Sequence, residues 1–150
     1  MKKIFILVIS ILVLSGCSTK EEEHVMKCNR TINNNGVSMD MDYTITYSGN
    51  YVKTVNSVEK VTSGDASILE SYETQIEAIY EPYGDIEYYE YEVDIDGNTL
   101  TSTVNIDYSK IDTDKLIYID SANATLIKNG KINIDDMISN YTALGITCNK

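Results

Sequence analysis

The sequence predicts an α+β fold in two layers: an antiparallel meander sheet with two helices packed on one face. Three observations predict it. Residues 39–47 alternate strictly between apolar and polar side chains, which is typical of a strand with one buried and one solvated face. Apolar residues between positions 68 and 83 recur at helical spacing instead. Several strands with few helices favour a sheet that is covered on one side.

The first half of the domain is expected to hold three strands and a helix. Strands are predicted over residues 25–33, 38–47 and 51–62, although the alternation in the third is less clean. Asp65 can cap the helix that follows, and Pro82 limits it because the residue before a proline resists helical geometry. The apolar stripe of this helix is Ile68, Leu69, Tyr72, Ile76, Ile79, Tyr80 and Tyr83.

A hairpin is predicted around Asp96-Gly97, since this dipeptide suits a two-residue turn. Pairing across that turn sets Val93 opposite Leu100 and leaves the carboxylates of the first strand on the other face. A register of the opposite parity would bury those carboxylates, so the sheet should avoid it.

The last part of the chain is harder to interpret. Residues 116–119 fit either a strand or a buried turn of helix, and Asn129-Gly130 predicts a turn within the poorly patterned stretch 111–131. A final helix is clearer, with Asn133 as its cap and Gly145 as its end. Its apolar stripe is Ile134, Met137, Ile138, Tyr141 and Leu144. Residues 146–148 should return as a last strand.

Residues 1–16 have the composition of a lipoprotein signal peptide. Lys2 and Lys3 precede an apolar run over 4–14, which is shorter than the ~20 residues a membrane-spanning helix needs. Leu-Ser-Gly then leads to Cys17, whose thiol would receive a diacylglycerol before cleavage. We therefore expect a protein anchored by lipid at Cys17, on the extracytoplasmic face of the cell membrane. The alternatives are an ordinary secreted protein with an incidental cysteine, or an uncleaved anchor.

Residues 17–24 are polar and charged, so they are predicted to be a flexible tether, followed by a single domain over 25–150. The sole histidine, His24, falls in that tether. Because general acid–base catalysis needs a rigidly held group, His-dependent hydrolase triads and His-bearing zinc sites are not expected.

The acidic composition limits the partners. The net charge is −11, and removing Lys2 and Lys3 with the signal peptide makes it −13. Such a surface argues against nucleic acid as a partner and against contact with anionic lipid headgroups. No phosphate loop, calcium loop or metalloprotease helix is present in the sequence, so neither cofactor nor metal is predicted. We expect a monomer whose protein or small-molecule partner is unknown.

Two cysteines remain once Cys17 is lipidated. Cys28 and Cys148 flank the predicted domain, and an even pair in an oxidising compartment favours a disulfide. The alternative is two buried free thiols. No Cys-x-x-Cys motif is present, so a redox function is not expected.

The candidate ligand surface lies in a segment rich in tyrosine and carboxylate, residues 80–92. One interpretation is an aromatic, acidic patch for a carbohydrate, a cationic ligand or a partner protein, formed by Tyr88, Glu90, Glu92 and Asp94. The other is that most of these tyrosines are core and the acids form a solvated strand face. The chain is therefore expected to be a small binding module rather than an enzyme. A carboxylate-dependent enzyme acting on envelope glycans is the alternative.

Four segments carry a family resemblance: the lipobox, Cys28-Asn29-Arg30, Asp40-Met41-Asp42-Tyr43-Thr44-Ile45-Thr46-Tyr47 and Tyr141-Thr142-Ala143-Leu144-Gly145-Ile146-Thr147-Cys148. Together they resemble the YehR-type bacterial lipoproteins. The resemblance extends over nearly the whole expected domain. It implies a small α+β domain on a lipid tether, in a family without an established activity, and it assigns no functional residues.

Overall fold

The computed structural model describes residues 21–149. The predicted signal peptide, Cys17 and the first part of the predicted tether lie outside these residues. The strands are β1 (Glu23–Asn34), β2 (Val37–Ser48), β3 (Tyr51–Ser63), β4 (Tyr89–Asp96), β5 (Thr99–Asp107), β6 (Ile127–Lys128), β7 (Lys131–Ile132) and β8 (Thr147–Asn149). The helices are α1 (Ala66–Tyr80), α2 (Thr113–Ile119) and α3 (Ile134–Ala143), with 3-10 turns at Glu81–Tyr83 and Ser121–Thr125.

The main sheet is antiparallel and has the strand order β4-β5-β3-β2-β1-β8. Strands β1 to β3 form the predicted meander. The chain then departs from it, because α1 carries β4 to the outer edge and β5 returns between β4 and β3. The short strands β6 and β7 form a separate hairpin.

One face of the sheet carries the core, and all three helices cover it. The register aligns Ile45 with Met26 on one side and with Val55 on the other. Buried residues from α2 and α3 join these side chains in the larger apolar cluster. A smaller cluster beneath α1 contains Val61, Leu69, Ile76 and Leu100. The fold is therefore α+β in two layers, as predicted, with one helix more than expected.

That additional helix is α2, which decides between the two interpretations of residues 116–119. Its cap is Asp112, whose side chain accepts a hydrogen bond from the Asp114 amide at 3.1 Å. Ile111 and Leu116 are buried against the larger cluster. The predicted caps of the other two helices, Asp65 and Asn133, are both confirmed by bonds to amides two residues on.

The predicted boundary of the tether is too late in the chain. Strand β1 begins at Glu23, and His24 pairs with Tyr47 on β2, their ring centres 5.3 Å apart. His24 is thus held in a strand, although its side chain is exposed. Within residues 21–149, no helix combines the length and apolar character that crossing a bilayer requires.

The predicted register of the β4–β5 hairpin is wrong by two residues. Asp96 pairs with Thr99, so the turn is Gly97-Asn98, and Val93 lies opposite Ser102 instead of Leu100. Gly97 has φ +60°, which suits a turn with glycine in its first central position. The parity of the pairing is unchanged, so the β4 carboxylates lie on the outer face as predicted.

The predicted disulfide joins Cys28 to Cys148, which are directly paired residues of β1 and β8. Cys28 is buried in the larger cluster. The bond ties the edge strand β8 to its neighbour β1 and closes the domain at its two ends.

Candidate functional site

The four residues predicted as a ligand patch divide into two pairs. Glu90, Glu92 and Asp94 are exposed on the outer face of the edge strand β4, and Tyr88 immediately precedes this strand with its side chain 41% exposed. Tyr88 and Glu90 line an open groove, whereas Glu92 and Asp94 continue along the strand beyond it. The structure therefore brings only half of the predicted patch into a concave site.

The groove crosses three strands and has a volume of about 320 Å³. Strand pairing arranges its polar side chains in two neighbouring rows. The first row is Asn56, Asn105 and Glu90, in which Asn56 Nδ2 donates a 2.7 Å hydrogen bond to Asn105 Oδ1. The second row is Thr54, Asp107 and Tyr88. Because the rows lie on paired strands, their spacing is fixed by backbone hydrogen bonds.

Tyr88 is held in an unusual backbone conformation at the end of the groove. Its φ is +69°, a left-handed geometry that costs a residue with a Cβ about 1–2 kcal/mol. The Asp107 amide donates a 3.0 Å hydrogen bond to the Tyr88 carbonyl. Lys110 Nζ lies 5.3 Å from the centre of the Tyr88 ring and 2.8 Å from Asp107 Oδ2. These contacts fix the ring beside the second row.

The protonation states of the groove suit hydrogen bonding. A hydrogen bond with Glu87 raises the pKa of Tyr88, so the phenol stays neutral at physiological pH. Partial burial opposes ionisation of Asp107, but hydrogen bonds from Lys110 and Ser109 lower the pKa of Asp107 overall. The groove thus combines a neutral phenol, two amides and carboxylate acceptors. In residues 21–149 no group of three or more His, Cys, Asp or Glu is arranged to hold a metal ion.

A second polar feature lies on the helix-covered face, where Glu59 separates the two apolar clusters. The Tyr43 hydroxyl donates a 3.3 Å hydrogen bond to Glu59 Oε1, and burial raises the pKa of Glu59. On the paired strand, Ser102 Oγ is buried without a partner in good hydrogen-bond geometry, although the Tyr80 hydroxyl lies near it. Glu59 does not line the outer groove.

Sequence reasoning missed Asn56, Asn105, Asp107 and Glu59. The first three are polar residues on strands. The pairing of β4 with β5 brings Asn105 and Asp107 beside Tyr88, and the pairing of β3 with β5, which are far apart in the chain, adds Asn56. Glu59 left a signal, because it interrupts the alternation of the third strand at a position that faces the core.

The family assignment follows from a match over most of the described domain. A protein family described as "Protein of unknown function (DUF1307)" matches residues 29–147. The chain belongs to this family. The match begins one residue after Cys28 and ends one residue before Cys148, so it spans the three helices, the groove and most of the sheet. The predicted resemblance to YehR-type proteins is confirmed.

Two solved structures have the same fold. The NMR structure of the E. coli YehR protein superposes with a TM-score of 0.62 at 20% identity, covering 86% of this chain and 92% of that one. The NMR structure of a protein from Streptococcus pneumoniae TIGR4 superposes with a TM-score of 0.54 at 18% identity, covering 99% and 98%. A comparison with curated proteins gives no significant match. At these identities the two structures support the fold alone.

Proposed function

We propose that this member of the family is a lipid-anchored binding module at the extracytoplasmic face of the cell membrane, and that it binds carbohydrate in the outer-face groove. The lipobox at Cys17 supports the anchor. Glu23, where β1 begins, is six residues from Cys17, and an extended chain of that length reaches at most about 20 Å. Such a tether keeps the domain, and the groove with it, close to the membrane.

The observation that carries the proposal is the conformation of Tyr88. A tyrosine at φ +69° is strained, and a strained residue persists where the surrounding structure fixes it. Here the Asp107 amide holds the Tyr88 backbone and Lys110 lies against the Tyr88 ring, beside two rows of hydrogen-bonding side chains. If the residue at position 88 only closed the end of the groove, glycine or asparagine would adopt this backbone conformation at a smaller energetic cost.

Carbohydrate is the ligand class that fits this lining. An aromatic ring can stack on the C–H face of a sugar, while amides and carboxylates bond to its hydroxyls as donors and acceptors. The groove supplies the Tyr88 ring, the amides Asn56 and Asn105, and the carboxylates Glu90 and Asp107. Its open shape suits part of a longer chain, such as a glycan of the envelope, better than a fully enclosed small molecule.

A carboxylate-dependent enzyme on glycans is the second candidate, and the raised pKa of Glu59 is the observation that favours it. Such an enzyme needs two carboxylates that flank the bond to be cleaved. The groups that interact with Glu59 among the described residues are the hydroxyls of Tyr43, Tyr80 and Tyr141. A binding module therefore fits this arrangement better.

An NMR titration of the isotope-labelled chain tests the groove. The probes are maltotriose and the trimer of N-acetylglucosamine. We expect at least one of them to shift amide signals of Asn56, Asn105 and Asp107 in a saturable manner. Tyr88→Ala should abolish those shifts, whereas Tyr118→Ala, at a tyrosine 91% exposed on α2, should leave them unchanged. The absence of saturable shifts with both sugars, or equal loss in both variants, would reject the groove as a carbohydrate site.

Metabolic labelling with a fatty-acid probe tests the anchor independently. The wild-type chain should incorporate the probe and fractionate with membranes. Cys17→Ser should do neither, because the acceptor thiol is gone. Cys28→Ser is the matched control and should still be labelled. Equal labelling of wild type and Cys17→Ser would refute lipid anchoring without bearing on the groove.

A further inference from the structure

A small cavity on the inner face of the sheet is lined by four tyrosines. It lies between the end of α1, the 3-10 turn at Glu81–Tyr83, strands β4 and β5, and α2, and its volume is about 150 Å³. Its tyrosines are Tyr80, Tyr83, Tyr89 and Tyr108. Its remaining lining residues are Ile79, Ile106, Leu116 and Asn123. The sheet separates this cavity from the polar rows of the outer groove, so the two are distinct sites.

The rings around the cavity are held by one another and by the core. Tyr83 and Tyr89 stack at 5.0 Å with an interplanar angle of 16°. Tyr80 packs against Tyr91 at 5.7 Å. Burial raises the pKa of Tyr89 and of Tyr108 above the usual tyrosine range, so both phenols stay neutral. The cavity is therefore walled by fixed, uncharged aromatic rings.

The surroundings of the cavity favour positive charge. The Tyr80 hydroxyl is close enough to Glu59 for that carboxylate to raise the pKa of Tyr80, after the larger effect of burial. Neither ion pair formed among residues 21–149 involves Glu59 or a residue of the cavity. The chain as a whole carries a net charge of −11. Because neither of these ion pairs neutralises Glu59, a cation in the cavity would lie in a negative electrostatic field.

We propose that this tyrosine cavity binds a small methylated ammonium compound. The negative π-faces of tyrosine rings attract a cation, and quaternary ammonium groups are the ligands that such aromatic enclosures recognise. The transfer of methyl groups from water to an apolar environment is favourable, and Leu116 and Ile106 supply such an environment in the cavity. The volume admits a single trimethylammonium group and excludes an oligosaccharide. This site does not depend on the carbohydrate proposal, because it lies on the opposite face of the sheet.

Choline chloride and its uncharged isostere 3,3-dimethylbutan-1-ol form a matched pair of probes. The two molecules have nearly the same shape and differ in the charge of the central atom. Binding to the full chain in detergent is followed by NMR of the tyrosine ring signals. Choline should bind at least about fivefold more tightly, the ratio that corresponds to a cation–π contribution near 1 kcal/mol. Equal affinity for the two probes, or binding of neither, would overturn the proposal.

Variants at the wall and at the mouth locate the site. Tyr83→Phe keeps the ring and should retain choline binding, whereas Tyr83→Leu should weaken it severalfold. Ile79, a lining residue that is 60% exposed, allows a test that leaves the four tyrosines unchanged. Ile79→Lys adds a positive charge at the mouth and should weaken choline binding, while Ile79→Gln should not. If Tyr83→Leu unfolds, the Ile79 pair decides alone: equal choline affinity in Ile79→Lys and Ile79→Gln would place the ligand elsewhere.

Discussion

The guanidinium of Arg30 donates a hydrogen bond to the carbonyl oxygen of Leu144 at the end of α3. Arg30 is on β1, two residues after Cys28 and just beyond the residues that pair with β8. Its guanidinium carbon lies 3.5 Å from where a Cβ on Gly145 would be. Gly145 has φ +74° and reverses the chain towards β8. The Arg30 guanidinium, the turn at Gly145 and the Cys28–Cys148 disulfide thus act together to hold the C-terminal helix against the sheet. These are the same segments that carry the family resemblance.

Arg30→Met should lower the free energy of unfolding by about 1–2 kcal/mol, since it removes a charge-assisted hydrogen bond and a cation at a helix C-terminus. Lys27→Met is the control, because Lys27 is exposed on the same strand. Chemical denaturation of both variants checks the prediction. An equal decrease in the free energy of unfolding in both variants would show that the contact with Leu144 does not stabilise the fold.

Loss of the Cys28–Cys148 disulfide should destabilise the domain. The bond spans 120 residues, and the chain-entropy treatment gives up to ~5 kcal/mol for a loop of this size. Cys148→Ala should therefore melt well below the wild type, and reduction of the wild type should bring the two together. Intact mass of protein freshly isolated from cells should show no free thiol on Cys28 or Cys148. Free thiols there would contradict an oxidised pair in the cell.

Glu59 should make stability depend on pH. Burial raises its pKa above the ordinary value of 4.5, so the folded state binds this proton more tightly than the unfolded state. Its contribution to stability is present below that value and is lost as the pH rises through the folded pKa. The stability of Glu59→Gln minus that of the wild type should therefore be more favourable at pH 7 than at pH 4.

The groups that face Glu59 do not complicate this expectation. They are the hydroxyls of Tyr43, Tyr80 and Tyr141, whose pKa values are all raised by burial and which stay neutral across this range. Thermal melts at both pH values measure the effect, with the exposed Glu92→Gln as control. A difference between Glu59→Gln and wild type that does not change with pH would show that Glu59 is not desolvated.

The strain at Tyr88 can be isolated by two substitutions. Tyr88→Gly and Tyr88→Ala both remove the ring and its contact with Lys110, but only alanine keeps a Cβ at φ +69°. The glycine variant should be the more stable by about 1 kcal/mol, and both should lose carbohydrate binding. Equal stability of the two variants would mean that position 88 relaxes and that Tyr88 is not strained.

The fold could be predicted from local pattern, whereas the groove could not. The alternation in β2, the caps Asp65 and Asn133 and the parity of the β4 carboxylates are local properties, and the structure agrees with each. The hairpin register failed because Asp96-Gly97 and Gly97-Asn98 are both acceptable turns. The order of strands depends on where α1 delivers the chain to the sheet, and the local pattern of residues does not encode that position. Asn56 and Asn105 meet only through this order.

The groove, rather than the acidic strand face as a whole, is the surface that we propose binds ligand. Glu90 and Glu92 are exposed carboxylates two residues apart on the same face of β4, but only Glu90 lines the groove. Titration of Glu90→Gln and Glu92→Gln with the better of the two trisaccharides compares them directly. Glu90→Gln should raise Kd by at least about tenfold, since a charge-assisted hydrogen bond contributes roughly 1.5–3 kcal/mol. Glu92→Gln should leave Kd unchanged. Equal Kd values for the two variants would contradict the account.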